Sequence, residues 1–222
     1  PRSYDTATAG LLLTATRSTT WAGRDHDLSL RLEGFRDRVT TDDPAGASLT
    51  PSGQRQLWSL ALEDRIALDP ATLTLGLSLD SYRMRSPAAR SGGEAASPRL
   101  ALDLPLTDSL TLHGAASLAY RPPALSETLV DGLHPEPADF PVRPNPGLTP
   151  ERARMIELAL AYQGNALLTD SDSLTVKGTI HRTLVQDYIG MEWVGGVFDG
   201  FYQYQNLSRV KIKGLELEAS YE

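Results

Sequence analysis

The segment from Thr72 to Leu79 alternates strictly between leucine and small or polar residues. Successive side chains of a β-strand point to opposite faces, so this pattern predicts a strand with one apolar face and one polar face. The same alternation recurs along the chain, and about nine strands are predicted. No apolar run reaches the roughly 18 residues of a transmembrane helix, but a transmembrane strand needs no such run. The chain is therefore predicted to be all-β.

The lengths of the strands and of their connections indicate how the strands are arranged. Many predicted strands exceed the five or six residues that are usual in soluble sheets. Short connections follow strands one, three and five, whereas longer ones follow strands two, four, six and eight. This asymmetry favours an antiparallel up-and-down transmembrane β-barrel with short periplasmic turns and long extracellular loops. A soluble β-sandwich or lipocalin-like barrel, with the polar face turned to water, is the alternative.

Two loops are predicted from their residue composition. One strand irregularity is predicted from a change in which set of alternate positions is apolar. Residues 86–96 contain Gly92 and Gly93, and residues 190–204 are rich in glycine and aromatic residues, so both are predicted to be loops. In the last strand the apolar parity switches near Lys213-Gly214, which predicts a β-bulge there.

Composition excludes several classes of function. The net charge of −7 and the lack of a basic patch interleaved with aromatic residues disfavour nucleic acid as a partner. The chain has no cysteine, so a disulfide framework and a thiolate metal site are excluded. It contains no nucleophile elbow, zinc-protease, P-loop or dinucleotide-binding motif. The protein is therefore predicted not to be an enzyme.

The connection between strands six and seven is crowded with prolines and holds one histidine, His134. Binding residues concentrate on loops that a rigid scaffold positions, so this segment is predicted to face a ligand. Pro135 and Pro137 restrict the backbone after His134 and favour presentation of its ring. A second set of ligand-loop candidates, which would alternatively form an interfacial aromatic girdle, comprises Trp193, Phe198, Phe201, Tyr202 and Tyr204.

Four segments, in order, resemble motifs of TonB-dependent outer-membrane receptors. Ser97-Pro98-Arg99-Leu100 is similar to the start of a late barrel strand, and Asn206 to Ser220, which contains Lys211 to Glu218, is similar to the "KGVELE" strand. The two motifs that flank the histidine loop resemble the FRAP box and the NPNL box of this family, and they comprise Tyr120, Arg121, Pro122 and Pro123, and Asn145, Pro146, Gly147 and Leu148.

The resemblance implies a location, a domain organisation and partners. It implies that residues 1–222 are part of one receptor β-barrel in the Gram-negative outer membrane, surrounded by outer-membrane lipid. A plug domain and the barrel C-terminus are expected to lie outside these residues. The inner-membrane TonB complex would act through the N-terminal region of the receptor, which contains the plug domain. An incomplete set of strands leaves two unpaired edges in lipid, so residues 1–222 are predicted not to fold alone.

The position of His134 between the two boxes resembles that of a haem iron ligand in haem, haemoglobin and haemophore receptors. This resemblance implies haem as a transported ligand rather than a permanent cofactor, with iron bound only through haem. A surface histidine without a ligand role, in a siderophore or other nutrient receptor, is the alternative. A structural or adhesive β-barrel or sandwich is an alternative of another class. Of the remaining histidines, His113 and His181 are expected on the lumenal wall, and His26 is expected to be solvated in a turn.

Overall fold

The computed structural model describes residues 3–42, 52–87, 90–133, 140–166, 169 and 171–222. These residues form long strands, one short helix and two short strands. In chain order the elements are β1 (Ser3–Trp21), β2 (Arg24–Asp42), β3 (Gly53–Ala67), β4 (Thr72–Arg85), β5 (Arg90–Thr107), β6 (Leu110–Arg121), α1 (Leu125–Leu129), β7 (Gly132–Leu133), β8 (Pro141–Arg143), β9 (Glu151–Asn165), β10 (Ser173–Val194) and β11 (Phe201–Tyr221). No helix among the described residues is long and apolar enough to cross a membrane.

All strands belong to one sheet, in which the long strands follow each other in chain order. The order is β1-β2-β3-β4-β5-β6-β9-β10-β11-β8-β7. Neighbouring long strands are antiparallel, which confirms the predicted up-and-down arrangement of nine long strands. The short strand β8 is the exception, because it runs parallel to the upper part of β11, opposite Tyr202 and Gln203. The connection between β6 and β9 therefore reaches past β9 and β10 to the far side of β11.

One face of the sheet carries continuous rows of exposed apolar side chains. One row crosses five strands as Leu104, Leu112, Leu160, Gly178 and Leu217, each opposite the next. Leucines of this face are about half exposed, as in Leu77 at 44%. Contiguous exposed apolar surface of this extent marks a face that contacts lipid. We call this face the outward face and its leucine-rich part the apolar band.

The opposite face is polar and is linked by side-chain hydrogen bonds between strands. Arg55 donates to Asp37 at 2.9 Å, and the hydroxyls of Ser59 and Ser78 lie 3.1 Å apart. Burial on this inward face is confined to a few residues, among them Tyr82, Met84 and Ala159. A soluble sandwich would cover its apolar face and expose its polar face. The described residues show the reverse, which is the pattern of a barrel wall, so the soluble alternative is not supported.

Both predicted loops are shorter than expected. The segment 86–96 is wrong as a loop from Arg90 onwards, because Arg90 lies opposite Arg85 and starts β5. Gly93 lies inside the strand, where a Cβ would come within 3.2 Å of the Tyr120 hydroxyl. Glycine here permits close packing rather than a turn. The predicted loop 190–204 is likewise mostly strand, since β10 ends at Val194 and β11 begins at Phe201.

The predicted bulge at Lys213-Gly214 is wrong. The register of β10 and β11 is uninterrupted from Leu174 opposite Tyr221 to Gln186 opposite Arg209. The irregularity occurs instead at Asp187, which has a φ of 55°. The apolar side chains shift to the other set of alternate positions because the outward position 213 is occupied by Lys213 instead of a leucine. The backbone itself continues to alternate between the two faces of the sheet.

Candidate ligand-binding loop

The connection between β6 and β9 begins with two prolines and the short helix α1. Pro123 is fully buried, and the side chain of Glu127 accepts a hydrogen bond from the Ala124 N–H at 2.7 Å. Leu125 and Leu129 face the start of β3, since a Cβ on Gly53 would lie 3.3 Å and 3.1 Å from their methyl groups. The absence of a side chain at Gly53 therefore lets α1 pack directly onto β3.

Arg121, the last residue of β6, joins both ends of this connection. Its Nε and Nη2 donate to the two carboxylate oxygens of Glu151 at 2.8 and 2.5 Å, in the bidentate geometry that suits a guanidinium. Its Nη1 donates to Glu127 at 3.0 Å. The Glu151 carboxylate also accepts the Ile189 N–H of β10 at 2.8 Å. One arginine and two carboxylates thus connect β6, α1, β9 and β10, and we call this group the Arg121 clamp.

The Arg121 clamp lies beyond the apolar band, because Arg152 and Arg154 follow Ile156 on the outward face of β9 at this height.

Burial raises the pKa of Glu151, but hydrogen bonds from Arg121 and Ile189 outweigh this effect of burial. The pKa of Glu151 is therefore lowered overall. The hydrogen bond to Glu151 raises the pKa of Arg121, against the opposing effect of burial. Both groups are charged at neutral pH.

Two asparagines fasten the returning end of the connection. Asn145 donates from its backbone N–H to the Thr128 carbonyl at 3.0 Å and from Nδ2 to the Tyr204 carbonyl at 2.8 Å. Asn206 donates from Nδ2 to the Thr149 carbonyl at 2.8 Å and accepts the Thr149 N–H at 2.8 Å. Leu148 is buried between these bonds at 3% exposure. The predicted motif around Asn145 is thus the point where the loop attaches to β11.

Aromatic side chains gather where β8 meets β11. The ring of Tyr202 lies 4.6 Å from that of Phe140 and 5.1 Å from that of Trp193. The guanidinium of Arg143 stacks over Phe201 at 4.4 Å, a cation–π geometry. Phe198, in the turn between β10 and β11, is fully exposed. Of the predicted aromatic candidates, Trp193 and Tyr202 are therefore in contact, and Phe198 stands apart.

The four histidines differ in what the structure places around them. His134 lies outside the described residues. His113 is on the inward face as predicted, with Nδ1 2.6 Å from Asp103 Oδ1 and Nε2 3.8 Å from Glu157. His181 lies opposite Gly214, where a Cβ would overlap the imidazole ring.

The expectation that His26 is solvated is wrong. The residue is only 6% exposed, its Nδ1 lies 2.9 Å from Asp64, and its ring lies 5.7 Å from that of Trp21. No group of three or more histidines or carboxylates among the described residues is arranged to hold a metal ion.

Sequence reasoning assigns no role to three residues that hold the loop, namely Glu127, Glu151 and Asn206. Glu127 and Glu151 stand next to the two boxes, where their carboxylates pair with Arg121. Tyr120 belongs to the first box, and its ring packs 6.3 Å from that of Tyr82. Burial, followed by the nearness of Tyr82 and Asp80, raises the pKa of the Tyr120 hydroxyl, which finds no partner among the described residues.

The open antiparallel sheet, its lipid-facing band and its anchored outer loop define part of a transmembrane β-barrel of the outer-membrane type. Residues 2–222 match the family model described as "TonB dependent receptor-like, beta-barrel". The chain belongs to this family, which confirms the outer membrane of Gram-negative bacteria as its location. Members of the family are transporters rather than enzymes, so the prediction that the chain is not an enzyme is confirmed as well.

Similar proteins include receptors named for haem. A hemin receptor of Yersinia enterocolitica is 28% identical over 241 residues, covering 98% of this chain and 34% of the relative. A heme/hemopexin utilization protein C of Haemophilus influenzae is 25% identical, covering 85% of this chain and 29% of the relative. The solved structure of the Serratia marcescens hemophore receptor HasR, in complex with its hemophore HasA and heme, matches all of this chain and 40% of that one. Its TM-score is 0.89 at 25% identity. The chain thus spans about a third of the length of the curated relatives it matches.

Proposed function

We propose that this chain is part of the barrel of an outer-membrane receptor that takes up haem iron, with energy supplied by the TonB complex. The observation that carries the proposal is the similarity, over nearly the whole chain, to receptors named for hemin. The match to a haemophore receptor over the whole chain supports the same ligand. Haem, haemoglobin or a haemophore is the proposed source, and haem is cargo rather than a resident cofactor.

Within this proposal His134 is the haem iron ligand. A neutral imidazole is a good axial ligand of haem iron. The Arg121 clamp and Asn145 fix the two ends of the connection that contains His134 at the outer rim of the sheet. The aromatic residues Trp193, Phe201, Tyr202 and Tyr204 stand at the same rim and form the proposed side of the ligand vestibule, with Phe198 at its edge.

The proposed domain organisation follows from the share of the relatives that the chain matches. Residues 1–222 form one part of a single barrel domain, and a plug domain and further strands are supplied by other parts of the receptor. A receptor barrel of this kind has about 22 strands, against the nine long strands described here. The TonB complex acts through the N-terminal region of the whole receptor, and outer-membrane lipid surrounds the barrel.

The ligand role of His134 is tested by titrating haem into the intact receptor while recording the Soret absorbance. We expect His134→Ala to shift the Soret band and to weaken haem binding, because the iron loses an axial nitrogen. His113→Ala is the matched control, since His113 is paired with Asp103 on the barrel wall. An unchanged spectrum together with unchanged affinity in His134→Ala would contradict the ligand role.

A siderophore receptor is the second candidate function. The ferric enterobactin receptor of Pseudomonas aeruginosa is 28% identical over 189 residues, covering 78% of this chain and 24% of the relative. The two functions are separated by offering the intact receptor haem and a ferric catecholate siderophore in parallel. Tight binding of the siderophore with no binding of haem would favour the second candidate.

A further inference from the structure

The outward face changes from leucine to arginine and lysine on the loop side of the apolar band. On β9, Ile156 is followed by Arg154 and Arg152, and on β10, Ile180 is followed by Arg182. The other long strands except β1, β3 and β6 repeat this change. We call the resulting set the basic belt, and it comprises Arg36, Arg38, Arg83, Arg85, Arg90, Arg152, Arg154, Arg182, Arg209, Lys211 and Lys213. All of these residues are exposed, in a chain whose net charge is −7.

The basic belt contains cationic residues placed directly opposite each other on neighbouring strands. Arg85 lies opposite Arg90, and Arg182 lies opposite Lys213. Like charges in directly opposed positions of a sheet repel each other and destabilise the pair. An anion from outside that lies between the two cations would relieve this repulsion.

Part of the basic belt is concave. A cavity of about 470 Å³ is lined by Arg36, Arg38 and Arg85 together with Gln54, and the described residues of its lining include no carboxylate. Arg36 is oriented by donating from Nη2 to Gln54 Oε1 at 2.5 Å. Three guanidinium groups around one cavity suit a phosphate, whose oxygens accept their paired N–H groups.

Few acidic groups are available to neutralise the basic belt. Asp5, Asp42, Glu94 and Glu192 share the outward parity on this side of the apolar band. No member of the basic belt forms an ion pair within the residues that the structure describes. The carboxylates of the inward face are separated from the belt by the sheet itself, as Asp37 is when it pairs with Arg55.

We propose that the basic belt binds the phosphate groups of lipid in the outer leaflet of the membrane. The height of the belt selects this partner, because Arg182 lies opposite Ile156, the apolar residue of the outward face of β9 that is nearest to the loop side. Acyl chains then cover the apolar band while the headgroup phosphates reach the guanidinium groups directly above it. This inference concerns the outward face and does not depend on which nutrient the receptor transports.

The proposal is tested on the intact receptor with lipid A carrying two phosphates as the probe, and native mass spectrometry counts the lipids retained. The pocket variant is R36Q/R38Q/R85Q. Each basic residue near an anionic lipid surface strengthens binding roughly fivefold, so the triple variant is expected to bind lipid A on the order of 100-fold more weakly. R36K/R38K/R85K keeps the charge and is expected to bind more tightly than the glutamine variant.

Arg17→Gln provides the matched control. Arg17 has the same outward parity on β1 and is exposed, but it lies on the turn side of the apolar band. Its substitution is expected to leave lipid A binding unchanged. R182Q/K213Q tests a second part of the basic belt, so the proposal does not depend on the folding of the triple variant.

Three results would overturn the proposal. The first is equal retention of lipid A by the wild-type receptor and both glutamine variants. The second is an equal loss in Arg17→Gln, which would indicate a general charge effect. The third is complete displacement of lipid A by millimolar inorganic phosphate, which would identify a site for a soluble anion. We expect inorganic phosphate not to displace the lipid, and lipid A with a single phosphate to bind more weakly.

Discussion

At the scale of single residues, Glu151 holds together segments that are far apart in the chain. Its carboxylate accepts hydrogen bonds from Arg121 of β6 and from the Ile189 N–H of β10, and only 8% of its surface is exposed. A buried acceptor that loses its partners, or a buried donor left without one, destabilises a structure more than a surface ion pair does. The attachment of the outer loop therefore depends on this residue, which links the end of the connection to β6 and β10.

Glu151→Gln is expected to weaken the Arg121 clamp by about 1–3 kcal/mol, because a neutral amide accepts fewer and weaker hydrogen bonds than a carboxylate. The measurement is hydrogen exchange of the Ile189 amide in the intact receptor, which should become faster. Glu157→Gln is the matched control, since Glu157 lies on the same face of β9 and has only a 3.8 Å contact with His113. Unchanged exchange at Ile189 in Glu151→Gln would show that the clamp does not hold the strand.

The Arg121 clamp is also expected to respond to pH. The pKa of Glu151 is lower in the folded receptor than in the unfolded chain, because Arg121 and Ile189 stabilise the carboxylate. Its stabilising contribution is therefore complete above the ordinary glutamate pKa and is lost as the pH falls through the lowered value. Protease protection of the loop should decrease on acidification in the wild-type receptor. The same decrease in Glu151→Gln would assign the pH effect to another group.

At the scale of elements, each strand is defined by which set of its alternate side chains faces lipid. The leucines at 73, 75, 77 and 79 make β4 predictable, because only a strand puts every second side chain of such an alternation on one face. The ends of the strands are not predictable in the same way. Above the apolar band the outward residues are no longer a regular series of leucines, so β5 and β10 continue where the hydrophobic pattern stops.

The lipid-facing parity is tested by placing arginine at two successive positions of β6. Leu112→Arg is expected to destabilise the barrel by about 2–4 kcal/mol, because it buries a charge in the row formed with Leu104 and Leu160. Thr111→Arg puts the same side chain on the polar face and is expected to be tolerated. The measurement is the midpoint of urea unfolding of the receptor in lipid vesicles. Equal destabilisation by both variants would mean that the two faces are not distinct.

The candidate site is less predictable than the strands. The motifs at Arg121 and Asn145 locate both ends of the loop, but no sequence pattern shows that Asn145 binds a carbonyl of β11, 59 residues later. Such contacts depend on the order of strands in the sheet, and a local pattern contains no information about them. The position of His134 relative to these anchors stays a prediction from resemblance.

At the scale of the whole molecule, the described sheet is open. One edge is β1, and on the other side only the upper part of β11 is covered, by β8. Unpaired backbone groups in a hydrocarbon environment each cost several kcal/mol. The edges can be satisfied only by further strands of the receptor or by another copy of the sheet.

Residues 1–222, produced alone and refolded with lipid vesicles, are therefore expected not to form a stable barrel. The test is the change in gel mobility on heating, which a closed outer-membrane barrel shows and an unfolded chain lacks. The intact receptor, refolded in the same way, serves as the control. A heat-dependent mobility shift of residues 1–222 would contradict this prediction and would indicate closure by self-association.

The contacts of the connection between β6 and β9 also imply an order of assembly. It rests on β3 through Leu125 and Leu129 and pairs through β8 with β11, a strand that follows it in the chain. Contacts of such long sequence separation carry a large loop-closure cost, and they cannot form until β3 and β11 are both in place. The loop therefore closes only when β11 has been added, so cleavage of this loop by an external protease would date the arrival of β11 during assembly.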